Sequence, residues 1–189
     1  LLLAGATWPL LQAARAESSY AAVTPRPLVF PRDHGAHPEY RTEWWYLTGW
    51  LDAVPEALGF QVTFFRVRTP LEPTASRFSP QQLVIGHAAI AERARGTLLH
   101  DERVQRAGFG LVEASTADTD LRLDRWRFVR DPASGEYRAT LPARTFELTL
   151  SARPTQPLWL QGENGYSQKG PLPAQASFYY SQPQLAVRA

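Results

Sequence analysis

Cysteine and methionine are both absent from the 189 residues. Without cysteine there is no disulfide, no zinc–thiolate site, no cysteine nucleophile and no acylated cysteine at a processing site. Without methionine, the reading frame is expected to begin upstream of Leu1. Lysine is nearly absent as well: Lys169 stands alone among 20 basic residues, set against 18 acidic ones, for a formal net charge of +2. A charge that small and dispersed does not make the field that a polyanion needs, so no nucleic-acid partner is expected. No Gly-x-Ser-x-Gly elbow and no His-Glu-x-x-His pair occurs, which leaves a secreted hydrolase, the third functional reading, without a nucleophile or a metal. Gly162 to Gly170 is rich in glycine but follows neither the Walker nor the dinucleotide spacing. It reads as a wide turn in which Lys169 has a positional role.

Long apolar runs are missing too. Leu1 to Leu11 is uncharged but shorter than the roughly 20 residues that a bilayer requires. It leads into Ala14-Arg15-Ala16 and then the polar Glu17-Ser18-Ser19, the pattern of the end of a secretory signal peptide. The organisation expected is therefore a signal-peptide remnant over 1–16, an exposed linker over 17–27 and one β domain over 28–189. The mature protein is expected to be periplasmic or secreted.

What the chain has in quantity is β-branched and aromatic residues in short runs, bounded by Gly, Pro, Asp and Asn. Strands are expected near 44–52, 57–68, 82–91, 97–106, 121–130, 136–142, 145–152, 157–161 and 176–188. No stretch longer than about a dozen residues has helical period. Leu58, Phe60, Val62 and Phe64 share one face while Gln61, Thr63 and Phe65 share the other, and Phe146, Leu148 and Leu150 alternate with Glu147, Thr149 and Ser151. Asp131 to Gly135 is a turn between two strands, and the 16 prolines fall mostly at strand ends or in loops. The fold class is all-β, an antiparallel barrel or sandwich. Gln184 to Arg188 still reads as strand where the sequence stops, so its edge partner is expected in sequence beyond it.

The densest polar and aromatic stretch runs from Pro31 to Tyr46. His34, His37 and Glu39 could be read as metal ligands, but Gly35 and Pro38 make the segment a loop and the spacing suits neither helix nor strand, so no metal is expected. The plainer reading has Asp33 and His34 pinning the loop by hydrogen bonds. Arg41 and Glu43 point the same way on an extended segment and are expected to pair. Alternatively Glu43, beside Trp44 and Trp45, sits in aromatic surroundings that would keep its proton at neutral pH and suit it to alkene protonation. Trp44, Tyr46 and Trp50 could offer ring faces to a cation or stand as core. His87 shares a face with Leu83, Ile85 and Ala89, as a core histidine or a polar group in a cavity.

Asp33 to Gly49, then Leu58 to Arg66, His87-Ala88-Ala89, Gly165 to Gly170 and Ser177 to Ser181 resemble the hydroxyneurosporene synthase (carotenoid 1,2-hydratase) and AttH-like family over nearly all of residues 28–189. The resemblance implies two similar lipocalin-like β domains, of which this chain would be the first, with the second as its partner and holder of the main acid. It further implies water addition to an alkene of an apolar isoprenoid, by protonation and capture of the cation, without a cofactor. A hydro-lyase of this kind would use Glu43 and His87 here, with His34, His37, Trp44, Trp45, Tyr46, Gln61, Thr63, Lys169 and Tyr179 around the ligand. The alternative is an exported lipocalin-like carrier of an apolar or lipid molecule, associated with a membrane surface or a transporter.

Overall fold

The computed structural model describes residues 20–52, 57–71, 78–172 and 175–189. Among these residues there is no α-helix, only one 3-10 turn at Arg32–His34. Fourteen strands build two antiparallel sheets and two small ribbons. The first sheet is a four-stranded meander of β1 (Thr42–Leu51), β2 (Leu58–Arg68), β3 (Gln82–Glu92) and β4 (Thr97–Arg106). The second has six strands in the order β14-β9-β8-β7-β6-β5, from β5 (Val112–Ala114), β6 (Asp120–Leu123), β7 (Trp126–Arg130), β8 (Tyr137–Pro142), β9 (Glu147–Arg153) and β14 (Ala186–Arg188). Ribbons pair β10 (Trp159–Leu160) with β13 (Tyr180–Ser181) and β11 (Tyr166–Gln168) with β12 (Ala176–Phe178).

The two-residue alternation decides how the sheets face. Phe60, Val62 and Phe64 of β2 and Val84 and Ala88 of β3 turn inward, where they meet Leu121, Leu123, Trp126, Phe128, Ala139, Leu141, Leu148 and Leu150 of the six-stranded sheet. Phe64 and Phe128 stack across the interior at 6.3 Å with their planes 8° apart. Each such large apolar side chain contributes roughly 1.5–3 kcal/mol on burial. The sheets are in contact at β3, where Gly86 lies under Leu123 and Trp126. On the side of β1 and β14 a groove opens between the sheets. The result is an open-sided sandwich rather than a closed barrel.

Several elements differ from expectation. The strand expected over 121–130 breaks at Asp124, whose φ of 55° makes a tight turn between β6 and β7. The strand expected over 176–188 is three short pieces, β12, β13 and β14. β5 and β11 were unforeseen because three residues are too few to show a period. The expected signal stretch 1–16 and residues 17–19 of the expected linker lie outside the described residues. Arg26, also in that linker, is tied down by an ion pair with Asp33 at 2.7 Å.

Candidate functional site

The expected site residues separate into two groups that lie back to back across β1. Glu43 and Trp45 point inward, where the loop carrying His34 and His37 meets them. Trp44 and Tyr46 point outward, on the same face as Gln61, Thr63 and His87 in the ladder from β1 to β3.

The inward group is a buried chain of charges. His37 sits between two carboxylates, with Nε2 2.7 Å from Asp33 Oδ1 and Nδ1 2.6 Å from Glu43 Oε1. Each ring nitrogen thus faces a carboxylate oxygen, which favours the protonated ring, while Arg32 Nη1, 3.0 Å from Nε2, opposes it. Burial opposes that charge, but Glu43 and Asp33 outweigh it and raise the pKa of the ring. Arg66 completes the chain: Nε donates to Glu43 Oε2 at 2.6 Å, and Nη2 to the carbonyls of His37 and Tyr40 at 2.9 and 2.8 Å. Burial would push the Glu43 carboxyl up, yet His37 and Arg66 hold it below its ordinary range. The same contest holds for Asp33, where burial is outweighed by Arg26, the Val29 N–H and His37, leaving the carboxyl far below its usual value. Glu43 is therefore an ionised structural anchor and not the proton-retaining acid its aromatic neighbours suggested. Nor does it pair with Arg41, which lies over the Tyr20 ring at 5.8 Å.

His34 behaves differently from His37 although three residues separate them. Its ring is caged by Phe30, Tyr137 and Tyr180, and Nδ1 lies 2.9 Å from the Tyr180 hydroxyl. Burial and the nearby Arg130 lower its pKa to about 4, so it is neutral at physiological pH. Its carbonyl accepts from Trp45 Nε1 at 2.8 Å and Thr119 Oγ1 at 3.0 Å, which locks the loop to both sheets. Gly35 is required between them, because a Cβ there would lie 2.8 Å from the Thr116 backbone. The hydrogen bonds of Asp33 and His34 thus pin the loop, and the two histidines turn to different partners instead of one metal. Among the described residues no group of three or more His, Asp or Glu side chains is arranged to hold a metal ion.

A half-open groove of about 1980 Å³ between β1 and the C-terminal segment is bordered by both groups, by His37, Glu43 and Trp45 as well as by Trp44 and Tyr46. Trp44, Tyr46 and Trp50 line one wall, Tyr179, Leu185 and Val187 the other, and the lining is mainly apolar. The groove exceeds the roughly 300–1,000 Å³ of ordinary small-molecule pockets. The Tyr46 and Tyr179 hydroxyls bond across it at 2.7 Å; this bond and burial raise the Tyr46 hydroxyl to about 12. Lys169 lies over the Tyr179 ring at 5.5 Å, and Trp44 lies 6.3 Å from the same ring. Gln61, Thr63 and His87 stand further along the outer face and do not line the groove. His87 is on that face rather than in the core, its side chain 37% exposed and its Nε2 3.9 Å from Glu102.

Sequence reasoning passed over Arg26 and Arg66. For Arg66 a signal existed: it shares the inward face of β2 with Phe60, Val62 and Phe64, where a cation demands a buried anion. Arg26 had none, since only the folded loop brings it to Asp33.

An all-β antiparallel sandwich with an open-sided, mainly apolar groove is a lipocalin-like architecture. The chain belongs to the AttH-like family, whose model matches residues 21–189. Its fold is also similar to the crystal structure of a "putative AttH" from Nitrosomonas europaea, at 48% sequence identity and a TM-score of 0.79 over 88% of this chain and 50% of that one. The chain thus spans about half the length of that solved relative. No curated protein matches it significantly.

Proposed function

We propose that this AttH-like chain is an exported, lipocalin-like binder of an elongated apolar molecule, an isoprenoid or a long acyl chain, held in the groove between β1 and the C-terminal segment. One observation carries the reading: an apolar groove of about 1980 Å³ faced by Trp44, Tyr46 and Trp50. Exposed aromatics in a single wall are costly in water, and an apolar ligand would remove them from it. Trp50 is 73% exposed. Hydration of an alkene, the finer activity the family resemblance implies, needs a carboxylic acid that keeps its proton beside the ligand. Asp33 and Glu43 border the groove, but both are held ionised by their ion pairs. The reading therefore favours a carrier, with any proton donor for hydration supplied by residues other than these two.

The test is a fluorescence titration of the full-length protein with a conjugated polyene fatty acid. Trp50→Ala and Trp44→Ala are each expected to weaken binding by roughly tenfold or more, the loss expected for one large apolar contact. Affinity unchanged in both variants would remove the groove as the binding site.

A further inference from the structure

We propose that a second surface, the loop tip formed by Phe78, Phe109 and Leu111, docks this protein on an anionic lipid bilayer. The three side chains are 58%, 56% and 48% exposed. Single exposed apolar residues are ordinary, but these are gathered: the Phe78 and Phe109 rings stack at 5.9 Å with planes 9° apart. Grouped apolar exposure of this kind marks an interaction surface.

The backbone holds the tip outward at a cost. Gly108, Phe109 and Gly110 have φ of 105°, 58° and 73°. Glycine adopts such angles freely, whereas a residue that carries a side chain is strained there. A Cβ at either glycine would meet nothing within 4 Å, so the tip is open around Phe109. The conformation presents a phenyl ring to solvent without burying it.

The charge beside the tip that lacks an ion-pair partner is positive. Arg106 lies over the Phe109 ring at 4.8 Å and the Phe78 ring at 5.9 Å, and its Nη1 donates to the Phe78 carbonyl at 2.6 Å. The Leu111 carbonyl accepts from the N–H of Asp124 at 2.8 Å, which brings the exposed Arg125 to the same end of the molecule. Neither arginine has a carboxylate partner among the described residues. The neighbouring acids are occupied, Asp124 by Arg103 and Glu113 by Arg122, each at 2.7 Å. Aromatic and aliphatic side chains rimmed by arginines without carboxylate partners match a bilayer interface with anionic headgroups. A protein partner fits less well, since a stable interface takes about 800 Å² from each side and two phenylalanines and a leucine offer far less. The proposal stands apart from the groove reading and does not depend on it.

The experiment is co-sedimentation of the full-length protein with phosphatidylcholine vesicles, with and without phosphatidylglycerol. The parent protein is expected to sediment with the anionic vesicles and to be released by high salt. Phe109→Gly removes the ring while relieving the left-handed backbone, so the fold is retained; partitioning is expected to fall roughly tenfold or more. Arg106→Gln is expected to weaken binding to phosphatidylglycerol vesicles about fivefold. The proposal is overturned if the parent binds neither vesicle, if Phe109→Gly binds as well as the parent, or if the tip instead mediates self-association in solution that Phe109→Gly abolishes.

Discussion

At the scale of single residues, the carboxylate of Glu43 illustrates how one side chain can be read for chemistry and serve architecture. Its two oxygens accept from the His37 N–H at 2.9 and 2.8 Å, from the His37 ring and from Arg66. Arg66 is nearly fully buried and Glu43 only 14% exposed. Removing one partner from such a pair strands the other charge away from water. Glu43→Gln is therefore expected to lower the unfolding free energy by about 3 kcal/mol in urea titration. A loss below about 1 kcal/mol would mean that solvent screens the pair as it does at a surface. What the sequence alone disclosed here was the richness of the segment, since Asp33, His34, His37 and Glu43 are crowded into eleven residues. The roles were hidden because each depends on a residue far along the chain: Arg66 for Glu43, and Tyr180 and Arg130 for His34.

At the scale of elements, β3 sets how closely the two sheets can meet. A Cβ on Gly86 would lie 2.8 Å from Leu123 Cδ2 and 3.0 Å from Trp126 Cε3. The leucine methyl can swing aside. The indole cannot, since its N–H donates to the Pro142 carbonyl at 3.1 Å and Arg103 covers its face at 4.8 Å. Gly86→Ala is accordingly expected to destabilise by about 1–3 kcal/mol, the cost of overpacking a dense core, read as a lower urea midpoint with unchanged slope. A neutral result would show that the sheets can separate at this point. The long strands β2, β3, β4 and β9 are legible from alternation, because one wet and one dry face impose a period of two. The C-terminal segment is not: its pieces pair with β9, β10 and β11, and those distant partners decide where it bends.

At the scale of the whole molecule, the loop histidines and carboxylates couple folding to pH. His34 has a folded pKa lowered to about 4 against an ordinary value near 6.5. Between those values the unfolded chain binds a proton that the folded one refuses, so stability is lost as pH falls through that window. Asp33 and Glu43, both depressed, add to the loss once pH drops below the ordinary carboxylate range. His37 acts in the other direction: its pKa is raised, so its contribution is complete below about 6.5 and fades as pH climbs through the folded value. Stability is thus expected to peak near neutrality. His34→Gln is expected to flatten the acid side between pH 6.5 and 4, as measured by urea unfolding at several pH values; an unaltered slope would acquit His34.

The composition and the two-residue period were sufficient to determine an antiparallel all-β chain, because the placement of apolar residues on a strand is a local property. The distinctive run from Asp33 to Gly49 likewise pointed to the family from sequence alone. The tertiary structure decided what local patterns cannot contain. It gave Glu43 and Trp44, adjacent in the chain, partners far along it, Arg66 for the one and Tyr179 for the other. It also left β1 and β14 each paired on one edge, and the groove exists because those two strands, more than 130 residues apart, stand facing each other without meeting.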